Sequence, residues 1–321
     1  MTAEDGSPET TSLGHSGEEA CRIVFGTDAL GGHGWGAFDE AASLQAISRA
    51  VDLGVTLFDT ADCYGLGQSE LRLGAALRDR PDALIASKFG VRIDANGRTF
   101  HDNSADWLDE ALDASLRRLG RDHIDLYQIH YWDRRRPLRD TLEQLEDKRR
   151  AGKIRWYGVS NCTMDMIGEG ELPPALVSCT FEASLAERRW EGEFDAFAAA
   201  GVTALSWGSL GQGLLTGKYD TVNRPAEGDR RNRATYPKFH GEALMRNLRV
   251  VETLREMTLN YPGKTIGQIA VRWLLDRSRN SAAIVGMKNS GQVDDNLGAL
   301  GWSLTAADMA ELDRLSNSRP T

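Results

Sequence analysis

The stretch 105–160, ADWLDEALDASLRRLGRDHIDLYQIHYWDRRRPLRDTLEQLEDKRRAGKIRWYGVS, decides the fold. Apolar side chains recur three and four residues apart over Ala105–Leu119 and again over Leu138–Ala151, as one face of a helix requires. Gly120 and Gly152 follow these segments, where a left-handed C-cap favours glycine. Between the two helical segments lies the short apolar run Ile124–His130, and Ile154–Val159 follows the second. A buried strand, a helix and another buried strand in succession predict parallel strands joined by helical crossovers.

The same alternation extends in both directions. Further strand-length runs are Arg22–Gly26, Val55–Asp59, Ala83–Lys88, Ala175–Ser178, Val202–Trp207 and Ala282–Gly286, with helix-period segments such as Ala41–Leu53, Ser69–Leu77 and Phe194–Ala200 between them. This makes eight strands, the number that closes a (β/α)8 TIM barrel. The rival α/β architecture, an open doubly wound sheet, usually carries G-x-G-x-x-G after its first strand. That string does not occur in this sequence.

The chain has 321 residues, with 38 basic and 47 acidic side chains and a net charge of −9. This acidic balance argues against nucleic-acid or anionic-membrane binding through bulk charge, and no apolar run is long enough to span a bilayer. Residues 1–20, with Glu4, Asp5, Glu9, Glu18 and Glu19, lack the basic and apolar parts of a signal peptide. They read as a disordered acidic tail before one barrel domain over 21–321. Cys21, Cys63, Cys162 and Cys179 show no C-x-x-C spacing, and the histidines form no paired motif. Reduced thiols in a cytoplasmic protein without a metal site are the expectation. Gly208–Tyr219 mimics a phosphate loop but has Gln212 and Tyr219 at two required positions. The clusters Arg134–Arg136 and Arg230–Arg233 read as solvated faces.

On a barrel the chemistry lies at the C-terminal ends of the strands. The second run ends in Asp59 and leads into Thr60-Ala61-Asp62-Cys63-Tyr64; the third ends in Lys88 and the fourth in His130. Asp59, Tyr64, Lys88 and His130 thus form a proton-transfer set on one rim. A lysine cation beside Tyr64 is expected to lower the phenol pKa from about 10, while an aspartate keeps that lysine charged and oriented. Such a tyrosine can protonate an alkoxide as hydride reaches a carbonyl carbon, with a histidine holding the carbonyl oxygen.

Four motifs resemble the aldo-keto reductase superfamily: FDTADCYGLGQSE at 58–70, SLRRLGRDHIDLYQIH at 115–130, GKIRWYGVSN at 152–161 and GLLTGKY at 213–219. The resemblance covers about residues 21–315 and implies a (β/α)8 barrel that binds NADPH across its strand ends. It implies Tyr64 as general acid, supported by Lys88 and Asp59, with His130 orienting the carbonyl. Ser160 and Asn161 match the family's carboxamide-binding pair, and Trp207 the ring against the nicotinamide. Leu210, Gly213 and Lys218 fall in its pyrophosphate loop. Gly286, Lys288, Gln292, Asp295 and Asn296 fit its adenosine end, where Lys288 would pair with a 2′-phosphate and favour NADPH/NADP+. At the sixth strand, Ser178 and Phe181 stand where the family has a glutamine and then an aromatic, which assigns Ser178 to the cofactor. The loops offer Trp35, Tyr131 and Trp132, together with Phe100 and Trp190, as walls for a small-molecule carbonyl substrate such as a keto sugar or natural-product intermediate. A monomer is expected by fold analogy. The rival readings are an NADP(H)-binding regulatory subunit and a barrel lyase or isomerase.

Overall fold

The computed structural model describes residues 8–94, 96–168 and 170–317. Eight strands form the barrel: β1 (Ile23–Gly26), β2 (Leu57–Asp59), β3 (Leu84–Phe89), β4 (Ile124–Ile129), β5 (Ile154–Ser160), β6 (Leu176–Glu182), β7 (Thr203–Trp207) and β8 (Ser281–Gly286). Each pairs in parallel with its sequence neighbours, and β8 closes on β1. Every strand-length run in the sequence became one of these strands. The greatest discrepancy is β6, which continues four residues beyond Ser178 to Glu182.

The helices start and stop where local chemistry directs. Ser104 caps Ala105–Leu119 by accepting the Trp107 N–H, and Gly120 ends that helix with φ 64°. Thr265 and Gln268 form a reciprocal capping box on Ile266–Arg277. Beyond the crossover helices, Gly241–Met257 lies between β7 and Ile266–Arg277, and Ala306–Ser316 packs against it. No helix among the described residues is long and apolar enough to cross a membrane.

Two-residue alternation sorts the strand side chains. One set, including Ile23, Phe25, Phe58, Ile85, Tyr127 and Val159, packs outward in the core shared with the helices. The other set, Val24, Leu57, Leu84, Ala86, Leu126, Val177, Leu205, Ala282 and Ile284, fills the lower lumen. Stepping two residues up from Leu57, Ala86 and Leu126 gives Asp59, Lys88 and Gln128, so the polar rim shares the parity of the apolar plug.

The disordered tail expected over residues 1–20 is corrected for residues 8–20; residues 1–7 lie outside the described residues. Thr10–Ser12 and Glu19–Cys21 pair as an antiparallel hairpin. It closes the barrel floor, placing Leu13 and Ala20 fully buried in the lumen cluster. The Thr203 hydroxyl donates to Ser12 O at 2.7 Å and accepts from Gly14 N at 2.8 Å. Glu9 joins the buried Arg22 and Arg272, reaching Arg272 at 2.8 Å. Burial opposes ionisation of Glu9, but the two guanidiniums overcome it and hold the carboxyl at about 2.

A folded-state pKa below the unfolded value of 4.5 adds stability above that pH and loses it as pH falls through about 2. Glu9→Gln should therefore lower Tm at pH 7. The gap to the parent should narrow from about pH 4.5 toward pH 2 in thermal melts; a gap independent of pH would show that the carboxylate charge is irrelevant.

Candidate active site

The four residues expected at one rim are brought together. Asp59, at the end of β2, accepts from Lys88 Nζ at 2.6 Å, and the same ammonium donates to Thr60 O at 2.9 Å. Both side chains are almost fully buried. Burial pushes the Asp59 carboxyl up from its ordinary value, and the adjacent ammonium opposes that shift. The Lys88 ammonium also lies 5.3 Å from the Tyr64 ring centroid.

Tyr64 is carried by the turn after β2. Its N–H donates to Ala61 O, and its carbonyl accepts from Ser69 N. Gly65, at φ 58°, is needed there because any Cβ would strike the Gly31 backbone. The His130 ring meets Tyr64 edge-on with centroids 5.8 Å apart, and Tyr131 stacks on His130 at 5.1 Å. His101, from the antiparallel hairpin Val91–Ile93/Thr99–His101, stacks on the other side of Tyr131 at 4.8 Å.

The electrostatics correct one expectation. The Tyr64 phenol is pushed well above its ordinary value, first by burial and then by the charges of Asp59 and Asp28. These effects outweigh any opposing pull from the Lys88 ammonium, which Asp59 engages at 2.6 Å. The phenol therefore keeps its proton at neutral pH. Burial, followed by the Lys88 charge, holds the His130 imidazole neutral. The Cys63 thiol is also pushed up by burial, and its Sγ lies 3.7 Å from His130 Nδ1. A protonated thiol can donate S–H to Nδ1 of the neutral ring, the arrangement that puts the ring proton on Nε2.

Ser160 and Asn161 close β5 beside this set. Asn161 adopts φ 55°, its side chain donates to His130 O at 3.2 Å, and it accepts from Trp207 Nε1 at 3.3 Å. Ser178 is not at this level. It pairs in register with Gly158, whereas Thr180 pairs with Ser160 and accepts the Asn161 N–H at 2.7 Å. Ser178 is thus two residues too deep, and Phe181 points outward against Phe194 and Trp190. The continuation Thr180–Glu182 was hidden because its polar residues face the lumen rather than solvent.

The cations also gather. Lys218, Arg231 and Lys288 act on one another: Lys218 is lowered by burial and then by Arg231 and Lys288, and Lys288 by burial and then by Arg231. Arg231 is buried, pairs with Asp229 and donates to Gln212 O at 3.1 Å, contrary to a solvated-face reading of Arg230–Arg233. Gly213 adopts φ 92° directly against Lys218, and Leu210 packs on the core beside that loop. Lys288 Nζ donates to Trp35 O and Ala37 O. Gly286 ends β8, and Gln292 accepts the Lys288 N–H at 2.8 Å. Asn296 is buried. Asp295 is committed elsewhere, accepting from Thr265 Oγ1 and Gln268 Nε2, each at 3.0 Å.

Of the expected pocket walls, Trp35 and Tyr131 face the site and Trp132 does not. Trp35 Nε1 donates to Asp28 at 2.8 Å, and its ring lies under Arg230 and edge-on to Tyr236. Trp132 packs on the helix-side core and donates to Arg136 O. Phe100 lies against Arg92, while Trp190 belongs to the Phe181 cluster. The sequence reading missed Asp28, Glu182 and Lys238. Glu182 pairs with Lys238 and accepts from Gln212 at 3.0 Å. Asp28, two residues beyond the end of β1, was accessible to the same strand-end rule that found Asp59.

A (β/α)8 barrel whose rim joins a protonated phenol, a buried ion pair and a neutral imidazole beside clustered cations has the equipment of an oxidoreductase. Comparison with known proteins gives the lineage: the Aldo/keto reductase family model matches residues 22–317, and the chain belongs to that family. It is 36% identical over 312 residues to aldo-keto reductase YhdN of Bacillus subtilis, covering 96% of this chain and 93% of that protein. It is 32% identical over 299 residues to aldo-keto reductase yakc [NADP(+)] of Schizosaccharomyces pombe, covering 90% and 87%. The glycerol dehydrogenase AKR11B4 of Gluconobacter oxydans superposes with a TM-score of 0.87 at 30% identity, covering 98% of this chain and 97% of that one. This chain is an oxidoreductase acting between carbonyl and alcohol groups with a nicotinamide cofactor.

Proposed function

We propose that this chain reduces a polar aldehyde or ketone to an alcohol with NADPH, reversibly, using Tyr64 as the proton donor. The observation that carries this reading is the edge-on approach of Tyr64 and His130, 5.8 Å between centroids, above the Lys88–Asp59 pair. The retained proton makes the phenol a donor, and Nε2–H of His130 offers a second hydrogen bond to the carbonyl oxygen. Lys88 and Asp59 fix the floor on which the phenol rests.

The residues present fit the cofactor. Mutually repelling cations at Lys218, Arg231 and Lys288 favour a polyanion such as a pyrophosphate with a 2′-phosphate. Ser160 Oγ is buried without a partner and fits a carboxamide. Asn161 and Trp207 brace the neighbouring wall. When bound, the reduced nicotinamide supplies the hydride. Asp28, Glu182, Lys238 and Arg230 surround the mouth with charge, which favours a hydroxyl-bearing substrate such as a keto sugar over an apolar one. The glycerol dehydrogenase named above is consistent with that preference.

Assay of NADPH consumption against a panel of aldehydes, hydroxyketones and keto sugars tests the reading. NADPH binding without turnover across the panel would overturn it. Lys288→Glu should weaken NADPH by at least about tenfold more than NADH, since reversing a phosphate-pairing charge adds repulsion. Fluorescence titration with both cofactors measures this. Equal losses would place 2′-phosphate recognition elsewhere.

A further inference from the structure

Three unlike donors converge beside the proton-transfer set. Asp62, Cys63 and His130 each offer one ligand atom, and these atoms all lie within 4.8 Å of one another. The Sγ–Nδ1 separation is 3.7 Å. In a zinc tetrahedron, bonds of about 2.3 Å to sulfur and about 2.05 Å to nitrogen set that edge at about 3.6 Å. One carboxylate oxygen of Asp62, Oδ1, is buried without a hydrogen-bond partner. A buried oxygen without a donor is costly, and a cation would satisfy it.

We propose that Asp62, Cys63 and His130 form an inhibitory site for one soft divalent cation, zinc by its donor set. A thiolate, an imidazole and a carboxylate suit zinc and disfavour magnesium or calcium, which take all-oxygen shells. Two anionic ligands cancel the double charge, which matters with the Lys88 ammonium close to the same ring system. On binding, the Cys63 S–H bond and the Asp62 carboxyl O–H bond break, both protons pass to solvent, and the freed sulfur and oxygen pairs form the bonds to the metal. His130 contributes the free Nδ1 pair, and no electron is transferred. Water completes the fourth position.

Closing these atoms, all within 4.8 Å of one another, onto one ion draws the Asp62–Tyr64 turn toward His130. A displacement of about 1 Å between catalytic groups can reduce rate by roughly 10²-fold. The inhibition rests on the carbonyl role proposed for His130; the binding does not.

Cobalt(II) titration of the reduced, chelator-treated protein separates the two claims. A sulfur-to-cobalt charge-transfer band saturating at one metal per chain, lost in Cys63→Ser and displaced by zinc, is the expected result. Asp62→Asn should weaken cobalt binding by at least about tenfold. Zinc should then stop NADPH turnover reversibly, with a chelator restoring it. No saturable band, or a band unchanged in Cys63→Ser, overturns the site. Stoichiometric binding with undiminished turnover overturns the inhibition while leaving the ligand set standing. A protein that binds metal but reduces no carbonyl would instead count against the enzymatic reading.

Discussion

Tyr64→Phe is expected to lower carbonyl reduction by roughly 10²- to 10⁴-fold, the usual worth of a positioned general acid. NADPH affinity should change little, because the assigned cofactor contacts lie at Ser160, Asn161 and the Lys218–Arg231–Lys288 cluster. The phenylalanine ring can still fill the space against His130, so loss of the hydroxyl is the principal change. Steady-state kinetics with a fluorescence measurement of NADPH binding separate the two effects. Turnover near the parental rate would remove Tyr64 from the mechanism.

The pH dependence gives the same acid a second test. The phenol is shifted well above its ordinary value, so its deprotonation should not limit reduction below about pH 10. The imidazole of His130 is shifted down and neutral, so protonating it should impose no limb near pH 6.5. A reduction profile falling through neutrality would contradict both assignments. On the proposed mechanism alcohol oxidation uses the deprotonated phenol as acceptor and should instead rise with pH across this range.

The second large effect concerns stability. Asp59→Ala leaves the Lys88 ammonium buried with only the Thr60 carbonyl at hand. Removing one member of a buried pair typically destabilises by about 3–5 kcal/mol, because the remaining charge stays desolvated. Denaturant unfolding should show that loss in the midpoint without a large change in slope. The double change Asp59→Leu with Lys88→Met should recover much of the stability, since apolar replacement of a buried pair is often neutral. It should not recover reduction, as the floor beneath Tyr64 has lost its polarity. A stable Asp59→Ala protein would mean that water reaches Lys88.

These two variants separate what the pair does for the fold from what it does for the chemistry. The fold depends on the balance of charge in the lumen. The proposed chemistry depends on where that balance holds the phenol. The same separation runs through the rest of the rim: Asn161 tethers His130 and Trp207 by hydrogen bonds, whereas Ser160 keeps its hydroxyl free of protein partners.

The sequence by itself determined the barrel and the rim residues Asp59, Lys88 and His130, with Tyr64 in the turn that follows Asp59, because strand ends follow from local periodicity. Apolar runs alternating with helix-period segments state the strand count, and a titratable residue closing a run states the rim. It could not place Ser178, because interior strands keep the same parity at every level and depth depends on register with β5. It misread residues 8–20, whose few apolar side chains have meaning only against the barrel floor. It also misjudged the net shift of Tyr64, since burial and the Asp59 and Asp28 carboxylates raise the phenol pKa. Tertiary structure decided these points because each is set by contacts between segments far apart in the chain, where distance and burial, rather than residue type, fix the energy.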